Sequence, residues 1–254
     1  MDYAIQTDRL GKVFGHHVAV DAVSLRVPRG SCYGFLGPNG AGKSTTIKCL
    51  TGLLRPSTGS IRVLGVDPLA DPTSVKRRVG VVPEDLALFD RLTGDETLAF
   101  VGSVHGMDAA TLDRRAGDLL ELMDLAGAAT TLAGDYSHGM RKKLSLAAAL
   151  LPAPALLFLD EPFEGIDAVA SRQIKTLLTR FVAGGGTIFL TTHILEIVER
   201  LCDHLGVIHQ GSLIAQGSTA TLLREHGTLE ETFLRLVGAS ADPGQPGAFD
   251  WLVQ

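Results

Sequence analysis

Over roughly the first thirty residues, apolar and polar positions alternate in short runs, AIQTDRL and VAVDAVSLRV, punctuated by Gly11, Gly15 and the Pro28–Gly30 turn. A period of two marks strands with one buried face. SCYGFL (Ser31–Leu36) is apolar almost throughout and reads as a fully buried strand running into a glycine-rich turn and a helical segment, KSTTIKCLTGLL. SIRVLGV and VGVVPE supply two more strands. From about Thr93 to Leu151 the period changes to that of a helix: in TLDRRAGDLLELMDLAG, Leu112, Leu119, Leu120 and Met123 share a face. Alternation of strand and helix then resumes with ALLFL, a helix over 168–182, TIFLTT, a helix over 194–201, and HLGVIHQ paired with SLIAQG. Two short helices follow over 219–237. The pattern predicts an α/β fold: a mostly parallel sheet, an antiparallel β segment at the N-terminus and an α-helical insert at about 93–151.

Composition narrows the class without changing that picture. The 254 residues are 45% hydrophobic and 20% charged, as in an ordinary globular domain. A net charge of −5 speaks against a broad basic face, so no nucleic-acid partner is expected. Cys32, Cys49 and Cys202 are far apart in sequence and form no metal-binding pattern, which favours reduced thiols. The N-terminus shows no secretory pattern. The longest apolar stretch, Leu144–Leu159, is broken by Pro152 and Pro154 and reads as a buried helix followed by a buried strand, not a membrane span. The end, ADPGQPGAFDWLVQ (241–254), reads as a flexible tail.

The candidate chemistry begins in the glycine-rich turn. Gly37, Pro38, Asn39, Gly40, Ala41, Gly42, Lys43, Ser44 and Thr45 fit G-x-x-x-x-G-K-[ST] between a strand and a helix, the context in which this pattern cradles phosphate. Its glycines let successive N–H groups face phosphate oxygens, and the helix N-terminus adds partial positive charge. Lys43 would neutralise the β- and γ-phosphates and the Ser44 hydroxyl would ligate Mg2+. The apolar strand ALLFL ends in Asp160 and Glu161, at the carboxyl end where ligands collect in such sheets. Asp160 is assigned to Mg2+ and Glu161 to the general base that orients the attacking water; the competing reading is a plain acidic loop. His193 closes TIFLTT and is either structural or a polar contact to the γ-phosphate. Ser137 reads as the N-cap of a helix whose first turns carry Arg141, Lys142 and Lys143. These three are either a solvated basic face or cations awaiting an anion.

YSHGM, upstream of Asp160, resembles a degenerate LSGGQ signature of the ABC transporter ATPases, keeping Ser137 and Gly139 while Tyr136, His138 and Met140 depart from it. GPNGAGKST, VVPED, YSHGM, LLFLDEP, EGID and TTH occur in the family's order, and the resemblance spans about residues 3–237. It implies a single ABC ATPase domain over 1–240, with ATP and Mg2+ as ligands. Phe14 matches the ring that stacks on adenine. Glu84 stands where the family often has a glutamine that touches magnesium. Asp167 matches a loop crossing a dimer interface, and Ser137 with Gly139 would bind the γ-phosphate held by the opposite subunit. Partners implied are a separate membrane permease and a second ATPase, either another copy or a related chain, at the cytoplasmic face of the membrane. The wording around Glu84 and Ser137 is similar to bacterial exporters of drugs and antibiotics. The alternative is a soluble ABC-type ATPase acting on ribosomes or DNA, disfavoured by a single module without heptads or Cys pairs. A regulatory pseudo-ATPase is disfavoured by the presence of Lys43, Asp160 and Glu161.

Overall fold

The computed structural model describes residues 2–226 and 228–236. The segment read as a flexible tail, 241–254, lies outside the described residues. The strands are β1 (Tyr3–Phe14), β2 (His17–Val23), β3 (Arg26–Pro28), β4 (Cys32–Leu36), β5 (Thr58–Val63), β6 (Val79–Val82), β7 (Leu156–Asp160), β8 (Thr187–Thr192), β9 (His204–His209) and β10 (Ser212–Ser218). The helices are α1 (Lys43–Leu50), α2 (Pro72–Lys76), α3 (Gly94–Val104), α4 (Ala109–Leu122), α5 (His138–Leu150), α6 (Ala168–Ala183), α7 (Leu195–Leu201), α8 (Thr219–His226) and α9 (Leu229–Leu236). The sheet runs β3-β1-β2-β10-β9-β4-β8-β7-β6, with β5 paired to β1. Strands β9, β4, β8, β7 and β6 are mutually parallel, whereas β1 pairs antiparallel with β2, β3 and β5. This is the mixed α/β architecture that the alternation predicts, with α3, α4 and α5 forming the helical insert.

The parallel strands are buried on both faces, so they read as continuous apolar runs. Their alternating side chains feed two cores. Cys32 and Leu36 of β4, Leu157 and Leu159 of β7, and Ile188 and Leu190 of β8 pack toward the helical side with residues of α5, α6 and α7. Tyr33, Phe35, Phe158 and Phe189 point the other way, onto α1 and the antiparallel strands. Phe189 lies at the centre of that aromatic group, 5.7 Å from Tyr33, 5.3 Å from Phe35 and 5.9 Å from Phe158. Each such fully buried side chain contributes roughly 1.5–3 kcal/mol through removal from water. Two buried layers thus fix the carboxyl ends of β4, β7 and β8 against one another.

Two local readings are corrected, and the reading of the cysteines as reduced thiols agrees with the structure. Gly11 does not interrupt a strand: β1 passes through it with register shifts against both β2 and β5. The glycine makes a bulge, and a Cβ there would strike the Thr58 hydroxyl. The strand read from SIRVLGV stops at Val63, because Leu64 (φ 52°) and Gly65 (φ 85°) turn the chain. Cys32 and Cys202, distant in sequence, bring their Sγ atoms within 3.5 Å, and all three cysteines are buried free thiols.

Candidate functional site

The loop between β4 and α1 is shaped by glycine. Gly40 (φ 78°) and Gly42 (φ 105°) take left-handed backbone, and Gly42 is the N-cap of α1. No side chain caps this helix and no acidic residue lies in its first turn, so its leading N–H groups are left for an external anion. The Ala41 N–H donates to Pro38 O (3.1 Å), and the Gly211 N–H donates to Ala41 O (3.1 Å), tying the loop to the β9–β10 turn. Lys43 is buried and folds back over the loop: its Nζ donates to Gly37 O at 2.8 Å and Pro38 O at 3.3 Å.

At the end of β7, Asp160 accepts from the Thr191 hydroxyl on neighbouring β8. Glu161 has a left-handed φ of 48°, which turns the chain and sends its carboxylate back toward the loop. Its Oε1 lies 3.3 Å from Lys43 Nζ, and its Oε2 lies 3.1 Å from His193 Nδ1. Oε1 has no aligned hydrogen-bond donor, although it is buried. That oxygen is compensated in charge by Lys43.

Phe14, Asn39, Gly40, Gly42, Lys43, Ser44, Thr45, Glu84 and Glu161 line one cleft of about 490 Å³. Sequence reading missed His17, Ala19 and Glu164, which line it too. Phe14 is 45% exposed, leaving ring surface available for stacking, and Lys12 Nζ sits 4.8 Å from its centroid. An adjoining cleft of about 350 Å³ is lined by Ser44, Lys48, Pro83, Glu84, Asp85 and Asp160. Ser44, Glu84 and Asp160 therefore converge. Among the described residues no cluster of three His, Cys, Asp or Glu side chains suited to a metal occurs.

Ser137, Gly139 and Asp167 are not part of either cleft. They sit together on a neighbouring surface, where a Cβ on Gly139 would lie 3.9 Å from the Asp167 carboxylate. Ser137 caps α5, accepting from the Met140 N–H at 3.3 Å. Asp167 caps α6; hydrogen bonds from the Ala170 and Val169 N–H groups hold its carboxyl below the usual range, with Lys143 nearby. The His138 ring lies 3.2 Å from where a Gly165 side chain would start.

The reading of Arg141, Lys142 and Lys143 as a solvated basic face does not hold. Arg141 pairs with Asp90 at 2.7 Å, and Lys142 and Lys143 are buried. On the far side of β6, Leu86, Phe89, Phe100, Val101 and His105 line a separate groove of about 250 Å³. There Phe89 and Phe100 meet edge to face at 5.3 Å while both stay about half exposed.

Comparison with known proteins agrees with this geometry. The family model described as ABC transporter matches residues 20–164. The chain is 41% identical to the daunorubicin/doxorubicin resistance ATP-binding protein DrrA of Streptomyces peucetius, over 89% of this chain and 68% of that protein. It is 40% identical to the Nod factor export ATP-binding protein I of Cupriavidus metallidurans, over 88% of this chain and 74% of that one. Among solved structures, the ATP binding subunit of an ABC transporter superposes with a TM-score of 0.86 at 31% identity, covering 92% of this chain and 99% of that one. A second, cbiO1 of Clostridium perfringens, gives 0.76 at 26% identity over 89% and 92% of the two chains. With a phosphate loop, a facing carboxylate pair and these likenesses on one scaffold, the chain belongs to the ABC transporter family and carries its ATP-binding domain.

Proposed function

We propose that the chain is the ATP-hydrolysing subunit that drives a separate membrane permease, in export of drugs or other small amphipathic molecules. The observation that carries the hydrolytic part is the buried Glu161 carboxylate facing Lys43 across the floor of the cleft. In this reading adenine stacks on Phe14 and the phosphates lie on the 37–45 loop. Lys43 exchanges its loop carbonyls for phosphate oxygens. Ser44 and Asp160, with Glu84 beside them, would hold Mg2+, which supplies charge neutralisation for the leaving phosphate. Glu161 orients water and takes its proton, and His193, already on Glu161 Oε2, fixes the carboxylate's direction and reaches toward the γ-phosphate.

Ser137, Gly139 and Asp167 lie off the cleft, which supports their serving the nucleotide held by a second ATPase, identical or related. Closure of two copies around ATP and their release after cleavage would then give the mechanical stroke. The relatives' names as ATP-binding proteins of resistance and export support a role at the cytoplasmic face beside a separate permease. The resistance and export names of the relatives support the direction of transport. Glu161→Gln tests the chemistry: ATP binding should stay within about twofold while turnover falls by at least about a hundredfold. Wild-type turnover in that variant would remove Glu161 as the base.

A further inference from the structure

We propose that Lys142 is a positioning residue for Glu161, holding the 161–164 loop so that the aim of the carboxylate depends on where α5 sits. The inference rests on the reading of Glu161 as the base. Lys142 is 4% exposed, and its Nζ donates to Glu161 O at 2.7 Å and to Glu164 O at 2.6 Å. A buried ammonium is costly unless its donors are met, so a residue serving as filler at this point would be apolar. Desolvation lowers the proton affinity of Lys142, and the charges of Glu164, Glu161 and Glu84 oppose that in part.

What the ammonium holds is a strained turn. Glu161 sits at φ 48°, a conformation that a branched or long side chain adopts only when its surroundings enforce it. From the strand side, the enforcement is the Glu161 N–H, placed between Thr191 O and Thr191 Oγ1 at 3.2 Å each. From the other side it is Lys142, which fixes the carbonyl of the same residue. The Glu164 N–H reaches Glu161 O at 3.3 Å, so the ammonium closes a loop that the backbone alone draws only loosely.

Lys142 stands one turn beyond Ser137–Gly139 on the same helix. Its helix N-terminus is anchored by the Ser137 cap, and Arg141 ties it to Asp90 and to Ala133 O. A displacement of that first turn when a second copy engages it is delivered by a rigid helix to Nζ, and from Nζ to the peptide of Glu161. The two nucleotide positions of a dimer thereby acquire a link: occupation of one surface re-aims the carboxylate of the other.

The test compares purified full-length wild type, Lys142→Met, Lys142→Gln and Glu161→Gln. The measurements are kcat and KM for ATP, equilibrium ATP binding, and the dimer fraction by light scattering in Mg2+ and ATP. Lys142→Met should lower kcat by at least about tenfold, leave KM and ATP affinity within about twofold, and accumulate ATP-held dimer as Glu161→Gln does. Lys142→Gln keeps a donor and similar volume; it carries the same expectation, with a smaller loss, should the Met variant not fold. The inference is overturned if turnover stays within about threefold of wild type and no dimer accumulates while Glu161→Gln is inactive. It is overturned equally if ATP affinity and kcat fall together, since the lysine would then be a general structural post. Wild-type turnover in Glu161→Gln would instead sink the assignment of the base, and this inference with it.

Discussion

Asp71, Asp108 and Asp167 hold the first turns of α2, α4 and α6 by accepting backbone N–H bonds from Ser74, from Thr111, and from Val169 with Ala170. Their carboxyls are held below the usual carboxylate value, mainly by the Ser74 hydroxyl for Asp71 and by backbone N–H donors for the other two. In the unfolded chain these groups take up protons near the ordinary value of about 3.9. The stability they confer is therefore complete above that value and is lost as pH falls through the lower folded values, because the unfolded state protonates first. A chain with all three changed to Asn keeps the cap acceptors but not the titration. Its urea midpoint should fall less than the wild type's between about pH 4 and pH 2.5; an identical acid slope would remove the caps as a cause. At this scale the sequence was informative where function is local. Lys43, Ser44, Asp160 and Glu161, which line the two adjoining clefts, stand in short motifs that neighbours in the chain mark out. Thr191, Glu164 and Lys142 do not: each meets the site across the sheet or from another helix, and nothing adjacent in sequence records that meeting.

Helix α3 begins in a reciprocal cap. The Thr93 hydroxyl accepts from the Glu96 N–H at 3.1 Å, and the Glu96 carboxylate accepts from the Thr93 N–H at 2.9 Å. Thr93→Ala should cost about 1 kcal/mol and lower the midpoint of thermal unfolding by about 2–4 °C. An unchanged midpoint would mean that the helix start is held by packing alone. Elements were legible where an apolar run is unbroken, as in β7 and β8, or where a helical period dominates, as in α4, where Leu120 is buried, Leu112 and Leu119 pack beside it and Met123 is buried at the C-cap. They were misread where a glycine serves the pairing partner and not its own strand. Gly11 lacks a Cβ because Thr58 crosses there, and that strand partner lies 47 positions on (58 − 11 = 47). The solvated-face alternative for Arg141–Lys143 fails for a related reason: charge looks solvated in sequence until Asp90 and the Glu161–Glu164 loop are folded against it.

The described residues form the cleft lined by Lys43 and Glu161 and, apart from it, a half-open apolar groove, with the short segment that carries Glu84 between them. Glu84 lines the two clefts around Ser44, and Leu86 and Phe89, just after it, line the groove. If the proposed permease seats in the groove, it would press on Phe89 and shift the segment that ends at Glu84, linking docking to nucleotide binding through one stretch of chain. Phe89 and Phe100 stay about half exposed, so truncating either removes contact area for a partner while costing the fold little. Buried aromatic anchors at an interface commonly carry 2 kcal/mol or more each, about thirtyfold in affinity. With the chain tagged in its host and membranes gently solubilised, the wild type should bring down a polytopic membrane protein. A variant with both Phe89→Ala and Phe100→Ala should lose most of it, while purified protein keeps ATP affinity within about twofold of wild type. Full recovery of the membrane partner by the double variant would place the docking surface elsewhere. Capture of ribosomal or DNA-bound proteins in place of a membrane protein would overturn the transporter reading and leave the proposed ATP-hydrolysing site untouched, because Lys43, Asp160 and Glu161 are not among the residues that line the groove.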